Sequence, residues 1–236
     1  MYNNRSILAI IPARGGSRGI PHKNIVDICG LPLIAYSINE AKKSKYIDTL
    51  VVSTEDDEIA HIAEQFGAEV PFKRPAALAK DETPGMDPIL HAIKWFKEKN
   101  IIYNDIMCLQ CTTPLRTAKQ IDEAIEKHIN TNADALVSVC ESKISPYWMK
   151  KIENGNLVDF VADSPFYARR QETPVIYQLN GAIYLAKAIT LLKNKTWYTP
   201  RTLAYVMDEQ SSLDIDSSLD LKFFEYLERE KHSGKV

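Results

Sequence analysis

Residues 10–24 read Ile-Ile-Pro-Ala-Arg-Gly-Gly-Ser-Arg-Gly-Ile-Pro-His-Lys-Asn, and the rest of the chain is organised around them. The apolar run Ile7 to Ile11 leads into this stretch and reads as a buried strand that Pro12 ends. Arg14, Gly15, Gly16, Ser17, Arg18 and Gly19 follow without a break, and Lys23 comes soon after. Glycines let a backbone turn tightly and bring its N–H groups close to a ligand, while arginine and lysine neutralise phosphate oxygens. A strand that empties into such a loop is a phosphate-cradle candidate; the plainer alternative is a solvated basic turn. It is not a P-loop, because no Gly-Lys-Ser/Thr closes it. It is not a dinucleotide fingerprint, because no Gly-x-Gly-x-x-Gly opens a helix here.

Outward from this loop, strand and helix signals alternate. Leu33 to Lys43 spaces Ile34, Ala35, Ile38 and Ala41 as a helical stripe, and Leu50 to Ser53 is a second strand. Thr54 is expected to cap the next helix, with Asp57 as its capping-box partner and Gly67 as its stop. Ala68 to Pro71 reads as a short third strand. Residues 73–88 form a loop rich in proline and charge, and a helix follows to about Lys99. Asp105 to Leu109 is the fourth strand and runs into Gln110-Cys111-Thr112-Thr113-Pro114-Leu115-Arg116. Thr117 and Gln120 make a second capping box, with a helix to about Asn130, and Ala135 to Cys140 is the fifth strand. Later strands at 180–185 and 203–207 and a helix from Ser218 to about Glu230 complete the chain.

This alternation predicts an α/β fold, a mostly parallel central sheet flanked by helices, in a single domain over 1–236. Ligands of such sheets lie outside the carboxyl ends of the strands. The loops at 14–23, 73–88 and 110–116 are therefore expected on one rim. The pattern breaks at about 141–177, where turn signals separate short alternating stretches and Asn154-Gly155 suits a tight hairpin. This reads as an inserted arm carrying Tyr147, Trp148, Phe166 and Tyr167, either an interface for a partner chain or a lid.

Composition narrows the functional classes. The chain has 236 residues, 45% of them apolar and 25% charged, with a net charge of −2, so no global basic field argues for nucleic acid. No apolar run approaches the length of a membrane span, and Met1 to Ser6 lacks a signal-peptide core. The expected location is the cytoplasm. Of Cys29, Cys108, Cys111 and Cys140, the middle two form a C-x-x-C at the end of an apolar run. With no second ligand pair for zinc, strand packing is the expected role.

Asp214 and Asp216 are one residue apart in an extended stretch, so both carboxylates fall on one face. Two carboxylates aimed at one point repel unless a cation or proton sits between them, and magnesium bound together with phosphate resolves this. Acids are also common just before a helix N-terminus, which is the competing explanation.

Residues 9–24 resemble the signature of the acylneuraminate (CMP-sialic acid) cytidylyltransferases. So do Val-Ser-Thr-Glu-Asp at 52–56, Arg-Pro-Ala-Ala-Leu-Ala at 74–79, Gln-Cys-Thr-Thr-Pro-Leu-Arg at 110–116, Arg-Arg-Gln at 169–171, Asn-Gly-Ala-Ile-Tyr at 180–184 and Ser-Leu-Asp-Ile-Asp at 212–216. The resemblance covers nearly the whole chain, in order. It implies a nucleotide-diphospho-sugar transferase-like, three-layer α/β/α fold and a homodimer joined by the arm. The implied reaction takes CTP and a nine-carbon α-keto acid sugar to the CMP-sugar and pyrophosphate, with Mg2+. By match to the motifs, Arg14, Gly15, Gly16, Ser17, Arg18, Lys23 and Asn24 would hold the nucleotide, with Arg74 at the cytosine. Gln110, Thr112, Arg170, Gln178, Asn180 and Gly181 would meet the sugar, Arg170 often from the partner subunit. Asp214 and Asp216 would hold the metal, and Arg14, Lys23 and Asp216 would form the catalytic set. Arg18 and Gln178 depart from common family residues, lysine and arginine respectively. The second departure leaves legionaminic acid or another bacterial nonulosonic acid as an alternative sugar.

Overall fold

In the computed structural model, strand β1 (Ile7–Pro12) is buried from Ile7 to Ile11. Its side chains alternate between two apolar layers: Ile7, Ala9 and Ile11 enter one, Leu8 and Ile10 the other. A strand covered on both faces loses the polar alternation of a half-exposed one, which is why this run reads as unbroken apolar sequence. The structure describes residues 1–17, 19–162, 167 and 169–232, apart from the side chains of Arg170 and His232.

After β1 come a small hairpin, β2 (Asp27–Ile28) and β3 (Leu31–Pro32), then α1 (Leu33–Lys43), β4 (Thr49–Ser53), α2 (Asp57–Gln65), α3 (Met86–Glu98) and β5 (Asp105–Cys108). The chain continues through α4 (Ala118–Asn130), β6 (Ala135–Glu141), an exposed hairpin of β7 (Lys150–Glu153) and β8 (Asn156–Asp159), β9 (Tyr177–Lys187), α5 (Ala188–Asn194), β10 (Thr202–Met207) and α6 (Ser218–His232). Among the described residues the main sheet runs β10-β6-β9-β5-β1-β4. Neighbouring pairs are parallel except where β9 lies antiparallel between β5 and β6. The exception follows from the connection. β6 leads into the 142–176 arm rather than a crossover helix, so the chain returns in the opposite sense. Helices α1, α2 and α4 pack on one face and α3 and α5 on the other, giving the expected three layers.

Two local expectations are corrected. Helix α2 is capped by Asp56, not Thr54: Asp56 Oδ1 accepts from the N–H groups of Glu58 at 2.9 Å and Ile59 at 3.0 Å. Thr54 Oγ1 instead accepts from Asp56 N. The third strand at 68–71 contracts to a single bridge, Val51 to Glu69, because Pro71 supplies no ladder donor. The capping box at Thr117 and Gln120 forms as read. Cys108 and Cys111 belong to the core, and burial pushes both thiols up to about 12, which suits packing and not redox chemistry. At the amino end of β5, the fully buried Asp105 takes a two-pronged bond from Arg5 at 2.6 and 2.8 Å and faces His128 Nε2 at 3.0 Å.

Candidate active site

The loops after β1, after the Glu69 bridge and after β5 converge on a cleft of about 620 Å³ at the carboxyl edge of the parallel strands. Arg14, Gly16, Ser17, Lys23 and Asn24 line it from the first loop, Arg74 and most of the stretch from Leu78 to Pro88 from the second, and Gln110 to Thr112 from the third. The three loops predicted on one rim do share it.

The first loop is held by its own side chains. Asn24 is buried and donates to the Arg14 carbonyl at 2.9 Å, closing the loop on itself. Gly15 N–H donates to Glu55 Oε1 at 2.8 Å, while Glu55 Oε2 takes Arg74 Nη2 at 2.5 Å and Nε at 3.2 Å. Glu55 thus aligns the loop and the Arg74 guanidinium together. Arg14 pairs with Asp81 at 2.5 Å, across from the second loop. Lys23 reaches the far end of the chain, donating to the Ile215 carbonyl at 2.9 Å and Asp216 Oδ1 at 3.2 Å. Gly19 permits this closeness, since a Cβ there would stand 2.7 Å from the Asp216 carbonyl oxygen.

The carboxylate pair is built as its spacing predicts. Ile215 between the two acids is fully buried, packed with Ile20, Leu33 and Phe224, which leaves Asp214 and Asp216 on the opposite side. Ile215 N–H donates to the Thr112 carbonyl at 2.8 Å, docking this segment on the third loop. Protein atoms on one side of the exposed Asp214 partly desolvate its carboxyl and raise its pKa; a hydrogen bond from Thr112 opposes this, and the like charge of Asp216 adds to it. Among the described residues no cluster of three or more His, Cys, Asp or Glu side chains could hold a metal alone. Two hard oxygen ligands beside a basic phosphate loop do fit an ion that completes its shell with phosphates and water.

Other predicted residues fall out differently. Gly181 has φ +70°, and a Cβ on it would lie 3.4 Å from Gln110 Oε1 and 3.8 Å from Asp214 Oδ2, next to two of the predicted site residues though outside the cleft lining. Asn180 does not face the cleft: it is 3% exposed and its amide is bonded inside the sheet. Gln178 lies exposed on β9 opposite Cys140, outside the cleft lining. Arg18 and the side chain of Arg170 lie outside the described residues. Sequence reasoning missed Tyr184 and the turn Lys195 to Tyr198, which line the cleft, with the Tyr184 and Trp197 rings 5.6 Å apart. The adjacent Trp197-Tyr198 pair just after α5 was the available signal. It also missed Arg116, which is 1% exposed behind the cleft and donates to the Ala182 carbonyl at 2.7 Å and Ser37 Oγ at 2.8 Å. Burial pulls the Arg116 pKa down to about 10.

Helices on both faces of a mostly parallel sheet make a three-layer α/β protein, with a basic loop and a carboxylate segment beyond the carboxyl ends of its parallel strands. Residues 8–233 match the family described as cytidylyltransferase, and the chain belongs to that family. It is 36% identical over 225 residues to the CMP-N,N'-diacetyllegionaminic acid synthase of Legionella pneumophila, covering 94% of this chain and 95% of that one. It is 31% identical over 231 residues to the N-acylneuraminate cytidylyltransferase of Escherichia coli, covering 98% of this chain and 54% of the longer relative. The structure of CMP:2-keto-3-deoxy-manno-octonic acid synthetase complexed with CTP superposes with a TM-score of 0.71 at 16% identity, covering 96% and 99% of the two chains, a likeness of fold. No helix among the described residues is long and apolar enough to cross a membrane.

Proposed function

We propose that this chain transfers CMP from CTP to a bacterial nonulosonic acid of the legionaminic type, releasing pyrophosphate. The observation that carries the reading is the meeting of Arg14, Lys23 and Arg74 in one cleft, where Lys23 also bonds Asp216 of the carboxylate segment. In this reaction a sugar hydroxyl attacks the α-phosphorus, its oxygen–phosphorus bond forms as the bond to the pyrophosphate oxygen breaks, and the hydroxyl proton passes to solvent water. Charge builds on the leaving oxygens, so catalysis is mostly positioning and cationic stabilisation. Arg14 and Lys23 meet the phosphates, and the Glu55-aligned guanidinium of Arg74 lies toward the base. Gln110, Thr112 and Gly181 border the sugar, with Tyr184, Trp197 and Tyr198 as an apolar wall for its acyl groups. Asp214 and Asp216 would hold Mg2+, which supplies charge neutralisation at the phosphates when bound. The arm joins two chains as a homodimer, and use of CTP implies the cytoplasm.

Sialic acid was the first sugar suggested by the resemblance. The legionaminic alternative draws more support from the relatives, because the Legionella protein matches at higher identity and along its full length. The test is pyrophosphate release from CTP, UTP, ATP or GTP with N-acetylneuraminic, diacetyllegionaminic or pseudaminic acid. CTP with the legionaminic acid should give the highest kcat/KM. Equal turnover with GTP would overturn the cytidylyl reading, and a preference for N-acetylneuraminic acid would return the sugar to sialic acid.

A further inference from the structure

Asn180 and Gly181 are neighbours at an irregularity of the β6–β9 pairing, where the register shifts between Val137 and Val139. They face different surroundings. A side chain at Gly181 would begin 3.4 Å from Gln110 Oε1 and 3.8 Å from Asp214 Oδ2, next to two of the predicted site residues. The Asn180 side chain turns into the sheet, where all four hydrogen-bonding positions of its amide are taken. Oδ1 accepts from Ser138 Oγ at 2.6 Å and from Ala182 N at 3.2 Å. Nδ2 donates to Ser212 Oγ at 2.8 Å and to Met207 Sδ at 3.4 Å. A sugar hydroxyl or acyl group would find neither donor nor acceptor left on it.

We propose that Asn180 is a positioning residue for the segment that carries Asp214 and Asp216, and not a sugar contact. The inference rests on the cytidylyl-transfer reading above. Ser212, held by the amide, stands two residues before Asp214, and its hydroxyl donates in turn to the Asp208 carbonyl at 2.6 Å. On the other side, the Asn180 carbonyl accepts from Thr113 Oγ1 at 3.2 Å, and the Thr112 carbonyl accepts from Ile215 N at 2.8 Å. One residue thus ties the carboxylate segment and the third loop to the same irregularity of the sheet. Ser138 completes the tie: its hydroxyl, bonded to Asn180, also accepts from Ile183 N at 2.7 Å, where the regular ladder is interrupted. The chemistry requires an amide. A carboxylate could not donate to Ser212, and an apolar side chain would leave the buried Ser138 hydroxyl and Ala182 N–H without their acceptor and Ser212 without its donor. Groups that orient metal ligands from behind tune metal affinity without touching the metal.

The test compares CTP affinity in EDTA with CTP affinity in Mn2+ for wild type, Ser212→Ala, Asn180→Ala and the double variant. The ratio of the two affinities measures how well the carboxylates take the cation. Each single variant should lose roughly tenfold or more of that ratio, the double should lose no more than the worse single, and KM for the sugar acid should stay within about twofold. A raised sugar KM in Asn180→Ala, with the ratio at its wild-type value and Ser212→Ala silent, would overturn the proposal. If Asn180→Ala does not fold, Ser212→Ala decides alone, and an unchanged ratio rejects the proposal. A wild-type chain whose CTP affinity ignores Mn2+ removes the metal reading before any substitution is made, and this inference with it.

Discussion

Lys23 Nζ stands 3.2 Å from Asp216 Oδ1, joining residues 193 positions apart in the chain. The bond ties the first loop to the carboxylate segment, so the proposed phosphate and metal sites would share one geometry. Asp216 is largely exposed while Lys23 is mostly covered, so the pair adds little stability by itself. Its value is positional. Lys23→Ala should leave the fold intact and remove a cation beside the leaving pyrophosphate. One such contact is worth on the order of 2.7–4 kcal/mol, so kcat in a pyrophosphate-release assay should fall by about a hundredfold or more. A near-normal kcat would reduce Lys23 to a surface residue.

Arg14 carries Asp81 at 2.5 Å, and a triphosphate must compete with that carboxylate for the same guanidinium. Both side chains are about one-third exposed, which limits the pair to about 1 kcal/mol after screening. Asp81→Asn should therefore tighten CTP by no more than about fivefold, with the gain shrinking as salt rises. Weaker CTP binding would show that Asp81 supports the site instead of competing within it.

Gly181 combines φ +70° with its place between Gln110 Oε1 and Asp214 Oδ2. Gly181→Ala should cost about 1–2 kcal/mol in urea unfolding through backbone strain. Its methyl also enters the sugar side of the site, so KM for the sugar acid should rise more than KM for CTP. Equal effects on both would mean that only the strain matters.

The mostly parallel sheet and the shared rim were legible because apolar runs alternating with capped helices leave few other architectures; the strand order and the antiparallel β9 were not. The carboxylate pair was legible because a period of two needs no tertiary information. What sequence could not carry was the direction of a side chain at an irregularity. Asn180-Gly181 reads as one motif, yet the register shift at Val137 to Val139 sends one residue into the sheet and leaves the other beside Gln110 and Asp214. The cap of α2 was missed for a similar reason: Thr54, Asp56 and Asp57 are all competent caps, and only the backbone path past Arg74 selects Asp56. Tyr184 in β9 and Trp197 in the turn after α5 reach the cleft from neighbouring stretches of the chain, but no helical or strand period pairs them.

Asp105 anchors β5 and sets an acid limit on stability. Burial pushes its pKa up, but the hydrogen bonds from His128 and Arg5 outweigh that and hold it below the ordinary carboxylate value. A folded-state pKa below the unfolded one contributes stability that is present above about pH 4 and is lost as pH falls through the folded value. Asp105→Asn should cost about 3 kcal/mol at neutral pH, because it breaks a buried pair. Urea midpoints measured across pH should show the difference between the two proteins closing below about pH 4. A difference that persists unchanged in acid would mean that packing, not charge, fixes this residue.

The arm is expected to take a partner, on physical grounds. The hairpin turns at Asn154 and Gly155, both left-handed, and pairs Ile152 with Leu157. Those two side chains are 75% and 73% exposed, and Phe160 just beyond is 61% exposed. An isolated two-stranded hairpin is marginal in water, and an apolar pair left open on it is a surface waiting to be covered. Light scattering should therefore give a dimer, and Ile152→Glu with Leu157→Lys should give monomers that keep the sheet's circular dichroism. A dimer would also let Arg170, within the arm, serve the neighbouring site. Two inactive chains, Asp216→Asn and Arg170→Ala, refolded together in equal amounts should form about half mixed dimers, each with one site intact. Roughly a quarter of wild-type activity should then return. If Arg170 serves its own chain, no site regains both residues and activity stays at background. Background activity in a mixture shown by mass to contain mixed dimers would reject the shared site while leaving the dimer and the cytidylyl reading in place.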